Sequence, residues 1–206
     1  MKVEDCLKAI DGEIVSGAGT KIFRGVSIDS RTLKKGELFV CIRGDRFDGH
    51  DFIKEAQNKK ASAIVLSDKN NMISRRDEVP FVIRVDDTLK ALQELARFHR
   101  EQIPVQVIGI TGTNGKSTTK EMTAAITETK FKTIKTKGNL NNHIGLPLSL
   151  FHLSKNDKVA VMEMGMSAAG EIKRLAEIAQ RDEVDVNERG GHGGAPLGAA
   201  HVTRGV

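Results

Sequence analysis

The chain contains no tryptophan and no tyrosine, only four prolines and two cysteines, and no long apolar run. Each shortage excludes something. Cys6 and Cys41 cannot build a disulfide framework and lack metal-ligand spacing, so reduced thiols of a cytosolic protein are expected. The longest apolar stretches, residues 105–110 and 159–162, fall far short of the ~18 residues of a spanning helix. Residues 1–5 already carry acidic side chains and no apolar signal core follows, so no export is expected. Aromatics make up 4% of the chain, leaving no stacking set for nucleic acid, and the basic residues are dispersed. The balance of 32 Lys+Arg against 27 Asp+Glu gives +5, which suits a polyanionic ligand without naming one. A length of 206 residues allows one large domain or two small ones.

What is present reads as alternating helix and strand. Val3, Cys6, Leu7 and Ile10 keep helical spacing up to Gly12. Residues 22–28 and 37–42 read as strands around a polar turn at 30–36, and 44–49 as a loop. Asp51 is placed to cap a helix over Phe52, Ile53 and Ala56, and residues 63–66 and 82–85 read as further strands. Asp87 is placed to cap a helix carrying Leu89, Leu92, Leu95, Ala96 and Phe98, which Pro104 ends. Beyond it come a strand at 105–110, a glycine-rich turn at 111–115 and a helix over 116–128. Strands at 131–134 and 159–164 and helices at 144–150 and 168–179 complete the α/β alternation. No internal repeat is present. Residues 187–206 hold many Gly and Ala and show neither a period of 2 nor of 3.6, so an irregular or aberrant tail is expected there.

The strongest chemical signal is Thr111-Gly112-Thr113-Asn114-Gly115-Lys116-Ser117-Thr118, set between a buried strand and a helix. Glycines let successive backbone N–H groups face one anion, and the helix N-terminus adds partial positive charge. In such a loop Lys116 reaches the terminal phosphates and Ser117 holds the metal. The competing reading is an ordinary strand-to-helix turn. Position 110 is isoleucine where the strict phosphate-loop pattern has its first glycine. Glu163 ends a strand and so falls at the carboxyl edge of the sheet, where open α/β sheets bind ligands. Asn139, Asn141, Asn142 and His143 form a polar loop suited to sugar, phosphate or peptide contacts, and equally to turns and caps. Ser30 and Arg31 offer a hydroxyl and a guanidinium fork for diphosphate or uracil oxygens, although a surface turn explains them as well. For His50, beside Asp48 and Gly49, a structural role is expected.

With its missing first glycine, residues 111–118 resemble the ATP loop of the Mur ligases and their folylpolyglutamate synthase relatives. Ser27-Ile28-Asp29-Ser30-Arg31, residues 36–40 and residues 47–53 resemble the uridine-binding N-terminal domain shared by the members of that family that add the third residue and the terminal dipeptide. Residues 87–93, 138–147, 163–167 and 170–172 extend the resemblance almost continuously over 1–180. It implies a small N-terminal α/β uridine-binding domain (1–84) and an incomplete P-loop parallel-sheet ATPase domain (85–180), followed by the irregular tail (181–206). It further implies ATP-dependent amide formation through an acyl phosphate, with ATP and Mg²⁺ bound and with UDP-N-acetylmuramoyl-tripeptide and D-alanyl-D-alanine as substrates. By the same resemblance Lys116 is the catalytic lysine, and Gly112, Thr113, Asn114, Gly115, Lys116, Ser117 and Thr118 bind ATP. Ser117 and Glu163 hold Mg²⁺, and Ser30, Arg31, Asn139, Asn141, Asn142 and His143 face substrate. The family continues with a further metal histidine, a carbamoylated lysine and a C-terminal domain, none of which is identifiable here. The chain therefore reads as shortened, with an unprotected sheet edge where more strands belong. A remnant that binds nucleotides without turnover is the alternative.

Overall fold

The computed structural model describes residues 1–16, 22–67, 81–166, 168, 170–179 and 200–202. Two compact units emerge, Met1–Phe98 and His99–Val206. They divide inside one helix, whereas the sequence reading ends its first domain at residue 84. Among the described residues no helix is long and apolar enough to cross a membrane.

The first unit opens with α1 (Val3–Ile10), which buries Val3, Cys6 and Ile10 and stops at Asp11 in the left-handed region. Its sheet comprises β1 (Glu13–Ser16), β2 (Val26–Ser27), β3 (Leu38–Val40), β4 (Ala63–Leu66) and β5 (Phe81–Arg84), in the order β1-β5-β4-β3-β2. All neighbours run parallel except β1, which pairs antiparallel with β5. The expected strand at 22–28 shortens to two residues, and β1 was not foreseen. Ile14 and Val15 of β1 are exposed, so backbone pairing along β5 holds this strand rather than burial of its own side chains.

A 3₁₀ turn (Gly49–Phe52) leads into α2 (Ile53–Asn58). Here Asp48 rather than Asp51 is the capping acid, its carboxylate accepting the N–H of His50. The reason is geometric: the chain turns at 49–52 before the helix starts, and Phe52 stands at the N-cap of α2. Ile53 and Ala56 of α2 cluster with Phe39, Ile64, Leu66 and Val82 of the sheet and with Cys41 just after β3. Full burial of a side chain the size of Ile64 or Leu66 contributes about 1.5–3 kcal/mol. Both cysteines are free and buried, and burial pushes the Cys6 thiol up to about 12 and the Cys41 thiol well above its ordinary value.

Helix α3 (Thr88–Glu101) starts as the sequence predicts, with Asp87 Oδ1 accepting the N–H groups of Leu89 and Lys90. The second unit then places β6 (Gln106–Ile110), β7 (Thr133–Lys135), β8 (Val159–Glu163) and β9 (Ala200–Val202) in one sheet, ordered β7-β8-β6-β9. Strands β7, β8 and β6 are parallel. Helices α4 (Lys116–Glu128), α5 (Gly145–Leu150) and α6 (Glu171–Ala179) complete it. Ala124 of α4 packs on Ile108, Ile110, Val159 and Val161, which seats the helix over the two central strands.

Two expectations about the tail change. Ala200–Val202 forms a strand, and it pairs antiparallel with β6 through Ile108, Gly109 and Ile110. The edge of β6 is therefore covered, and the sheet is mixed rather than wholly parallel. Backbone N–H and C=O groups do this pairing, so a stretch poor in large apolar residues suffices. The rest of the expected irregular tail, residues 181–199 and 203–206, lies outside the described residues.

Asp48 ties the first unit together at one corner. Its carboxylate accepts from the backbone and ring of His50 and from Arg43 Nε, while His50 Nε2 accepts the N–H of Ser67. Partial burial tends to raise the Asp48 pKa, but these donors outweigh it and hold the carboxyl below its usual 3.8. A depressed native pKa gives stabilisation that is present above the unfolded value and lost as pH falls toward the native one. Asp48→Asn is expected to cost about 1–2 kcal/mol near neutral pH. Urea unfolding should show that cost shrinking as the pH drops below the ordinary carboxylate range; a cost independent of pH contradicts the assignment.

Candidate functional site

The segment 111–115 leaves the end of β6 and enters α4 directly, so the loop lies at the carboxyl edge of the sheet and at a helix N-terminus. Gly112 has φ 145° and Gly115 φ 74°, backbone settings that L side chains rarely adopt. A Cβ at Gly115 would meet nothing within 4 Å, so the space over the loop is open. A bend of this kind, with the positive end of a helix behind it, can turn successive N–H groups toward one anion. Lys116 Nζ folds back and donates to the carbonyl of Gly112 at 2.8 Å, resting on the cradle it is expected to serve.

Adjacent pairing of β6 with β8 sets Glu163 opposite Ile110, the last residue before the loop. Ser117, in the first turn of α4, donates its hydroxyl to Glu163 Oε2 at 3.0 Å. Asn141 Nδ2 donates to Glu163 Oε1 at 2.8 Å, and the Asn141 carbonyl accepts the N–H of Gly165 at 2.8 Å. The N–H of Glu163 donates to Thr136 Oγ1 at 2.9 Å, whose own proton points at Met162 Sδ. Glu163 is only 3% exposed, so it is no solvated acid at a strand end.

Of the residues expected in the site, Ser117, Glu163 and Asn141 come together, with Gly112, Thr113, Asn114, Gly115, Lys116 and Thr118 forming the loop and first turn above them. Asn142 performs the turn duty that the sequence left open, its Oδ1 accepting the N–H groups of Ile144 and Gly145 at the start of α5. That loop closes over a glycine: a Cβ on Gly145 would lie 2.5 Å from Leu140 Cα. Asn139 and His143 are exposed on the same loop. In the first unit Ser30 is buried and donates to Glu55 Oε2 at 2.9 Å, while exposed Arg31 forks onto Asp29. That fork uses Nε and Nη2 and leaves the Nη1 side of the exposed guanidinium facing outward from it.

Sequence reading missed Lys120 and Thr136. Lys120 is buried, with its ammonium 3.5 Å from Glu163 Oε2 and 3.3 Å from Glu121 Oε1. Its place three residues after Ser117, on the same helical face, was the available signal. Lys135 completes the line, its hydrogen bond holding the Glu121 carboxyl below its ordinary value while Glu121 raises the Lys135 ammonium.

Among the described residues no three His, Cys, Asp or Glu cluster to hold a metal by themselves. The hydroxyl of Ser117 and the carboxylate of Glu163 are hard oxygen donors. They fit a cation such as Mg²⁺, which typically takes one or two protein oxygens and fills its remaining positions with phosphate and water.

Two family models match the chain: "Mur ligase family, catalytic domain" over residues 22–100 and "Mur ligase middle domain" over residues 110–184. The UDP-N-acetylmuramoyl-tripeptide--D-alanyl-D-alanine ligase of Bacillus subtilis is 44% identical over 169 residues, covering 82% of this chain and 36% of that protein. The ligase of the same name from Escherichia coli is 38% identical over 177 residues, covering 86% and 36%. Among solved structures, MurF from Acinetobacter baumannii superposes with a TM-score of 0.79 at 31% identity, covering 87% of this chain and 39% of that one. MurF ligase from Thermotoga maritima, solved in complex with ADP, gives 0.68 at 36% identity, covering 76% and 35%. The chain thus spans well under half the length of the relatives it matches.

Thr136 is 1% exposed and supplies the acceptor that anchors the Glu163 backbone. Thr136→Val keeps the shape, orphans a buried N–H and is expected to cost on the order of 2 kcal/mol. Thr136→Ser should retain most of the stability. Chemical denaturation of the two variants checks this, and equal losses would contradict the anchoring role.

Proposed function

Because the chain belongs to the Mur ligase family, we propose that it carries the nucleotide and metal half of an ATP-dependent amide ligase. The reaction joins D-alanyl-D-alanine to UDP-N-acetylmuramoyl-tripeptide in peptidoglycan precursor synthesis, in the cytoplasm where such nucleotide-linked precursors are handled. The observation that carries this reading is the hydrogen bond from Ser117 at the loop to buried Glu163 at the end of the neighbouring strand. That pairing turns a phosphate loop into a site for a metal nucleotide.

In this reading the N–H groups at 112–117 cradle the triphosphate and Lys116 leaves the Gly112 carbonyl for the β- and γ-phosphates. Ser117 and Glu163 would hold Mg²⁺, which would supply charge neutralisation for the transferred phosphoryl group. Asn141 fixes the rotation of the Glu163 carboxylate. A substrate carboxylate oxygen attacks the γ-phosphorus and ADP leaves; the dipeptide amine then attacks the acyl carbon and phosphate leaves. The chain's part in both steps is positioning and charge neutralisation. Arg31, with Ser30 beneath it, is assigned to the uridine diphosphate, and Asn139, Asn142 and His143 to the rim near the reacting carboxylate. The first unit supplies uridine-nucleotide binding, and residues up to about 180 the ATP site.

The same loop and carboxylate also serve a second reading, in which these residues bind nucleotides without turnover. Steady-state assay of phosphate release from Mg–ATP separates the two. The first reading expects release that requires both the UDP-linked tripeptide and D-alanyl-D-alanine, falling at least ~100-fold in Lys116→Ala. Calorimetric binding of a non-hydrolysable ATP analogue with no substrate-dependent phosphate release establishes the second. Failure to bind either nucleotide contradicts both.

A further inference from the structure

Lys120 is a cation that the scheme above does not use. It lies one helical turn beyond Lys116 in α4, and its side chain and that of Glu163 are each only 4% exposed. Its ammonium approaches Glu163 Oε2, the oxygen that also accepts the Ser117 hydroxyl. Oε1 is taken by Asn141. Both oxygens of the metal-ligating carboxylate are therefore engaged, one of them by a full positive charge.

A carboxylate this far from water is costly unless a counter-charge compensates it, and Lys120 provides that charge. The neighbouring groups matter as well. Glu121 and Lys135 offset one another beside it, and Lys116 adds a further cation on the loop. At the buried carboxylate itself, one negative charge already faces the Lys120 ammonium, with Lys116 a second cation on the adjoining loop. A bare divalent cation meets repulsion there, and it competes with Lys120 for Oε2. A triphosphate brings negative charge that reverses this balance.

We infer that Lys120 is a positioning residue, the resident counter-cation of Glu163. It keeps the carboxylate aimed at Ser117, and it makes divalent metal binding conditional on the nucleotide. The metal enters with the triphosphate and does not load ahead of it. This inference rests on the reading of Ser117 and Glu163 as metal ligands.

Mn²⁺ is the probe, followed by water-proton relaxation enhancement, which reports attachment of the ion to the protein. With the parent chain, Mn²⁺ alone is expected to give no enhancement up to ~1 mM, and addition of a non-hydrolysable ATP analogue to produce it. Lys120→Met should bind Mn²⁺ without nucleotide at least ~10-fold more tightly than the parent. Lys120→Arg, which restores the charge, should behave as the parent does. Tight nucleotide-free Mn²⁺ binding by the parent overturns the inference alone, as does a Lys120→Met affinity that is unchanged or weaker. No enhancement with nucleotide present overturns the inference together with the metal-site reading. Should Lys120→Met fail to fold, the parent titration decides.

Discussion

The second unit is organised around a carboxylate withdrawn from water. Glu163 ends β8 with both oxygens and its backbone N–H engaged, by Ser117, Asn141, Lys120 and Thr136. These partners come from α4, from the loop before α5 and from the residue after β7. A desolvated acid of this kind is tolerable only where donors converge on it, so satisfying it draws these segments to one corner of the sheet. The corner is the carboxyl edge, where the glycine bend of 111–115 leads into the N-terminus of α4. One polar constraint thus serves folding and chemistry together. It fixes the approach of helix to sheet, and it leaves the carboxylate beside the place where a phosphate would sit.

The first unit follows a related logic with different chemistry. Asp48, His50 and Ser67 link the 3₁₀ turn before α2 to the residue that follows β4 through side-chain and backbone hydrogen bonds. Here the histidine receives a backbone N–H on one nitrogen and faces the aspartate with the other, which is a structural use of the ring. Arg31 stays at the surface on Asp29, with Lys59 donating to its carbonyl oxygen.

Much of this is legible in the amino-acid sequence. Glycines at 112 and 115, an apolar strand before them and a Gly-Lys-Ser start to the helix carry a physical meaning in their spacing alone. Glu163 was legible because a strand end in a parallel sheet has a defined address. Lys120 was not, since a lysine in the second turn of a helix ordinarily faces water and its partner sits on a strand far along the chain. β1 and β9 were illegible for a shared reason. Exposed Ile14 and Val15, and the Ala200–Val202 segment, join their sheets through backbone groups that every residue possesses. Asp48 displaced Asp51 as a cap because a 3₁₀ turn intervenes, a local geometry that composition does not encode.

The most direct test is diffraction from crystals grown with a non-hydrolysable ATP analogue and Mn²⁺, using the anomalous signal to place the ion. The account predicts one Mn²⁺ between Ser117 Oγ, Glu163 and the terminal phosphates, with the phosphates over Gly112 to Gly115 and Lys116 turned onto them. Phosphates bound away from that loop, or an ion that does not touch Glu163, would contradict it.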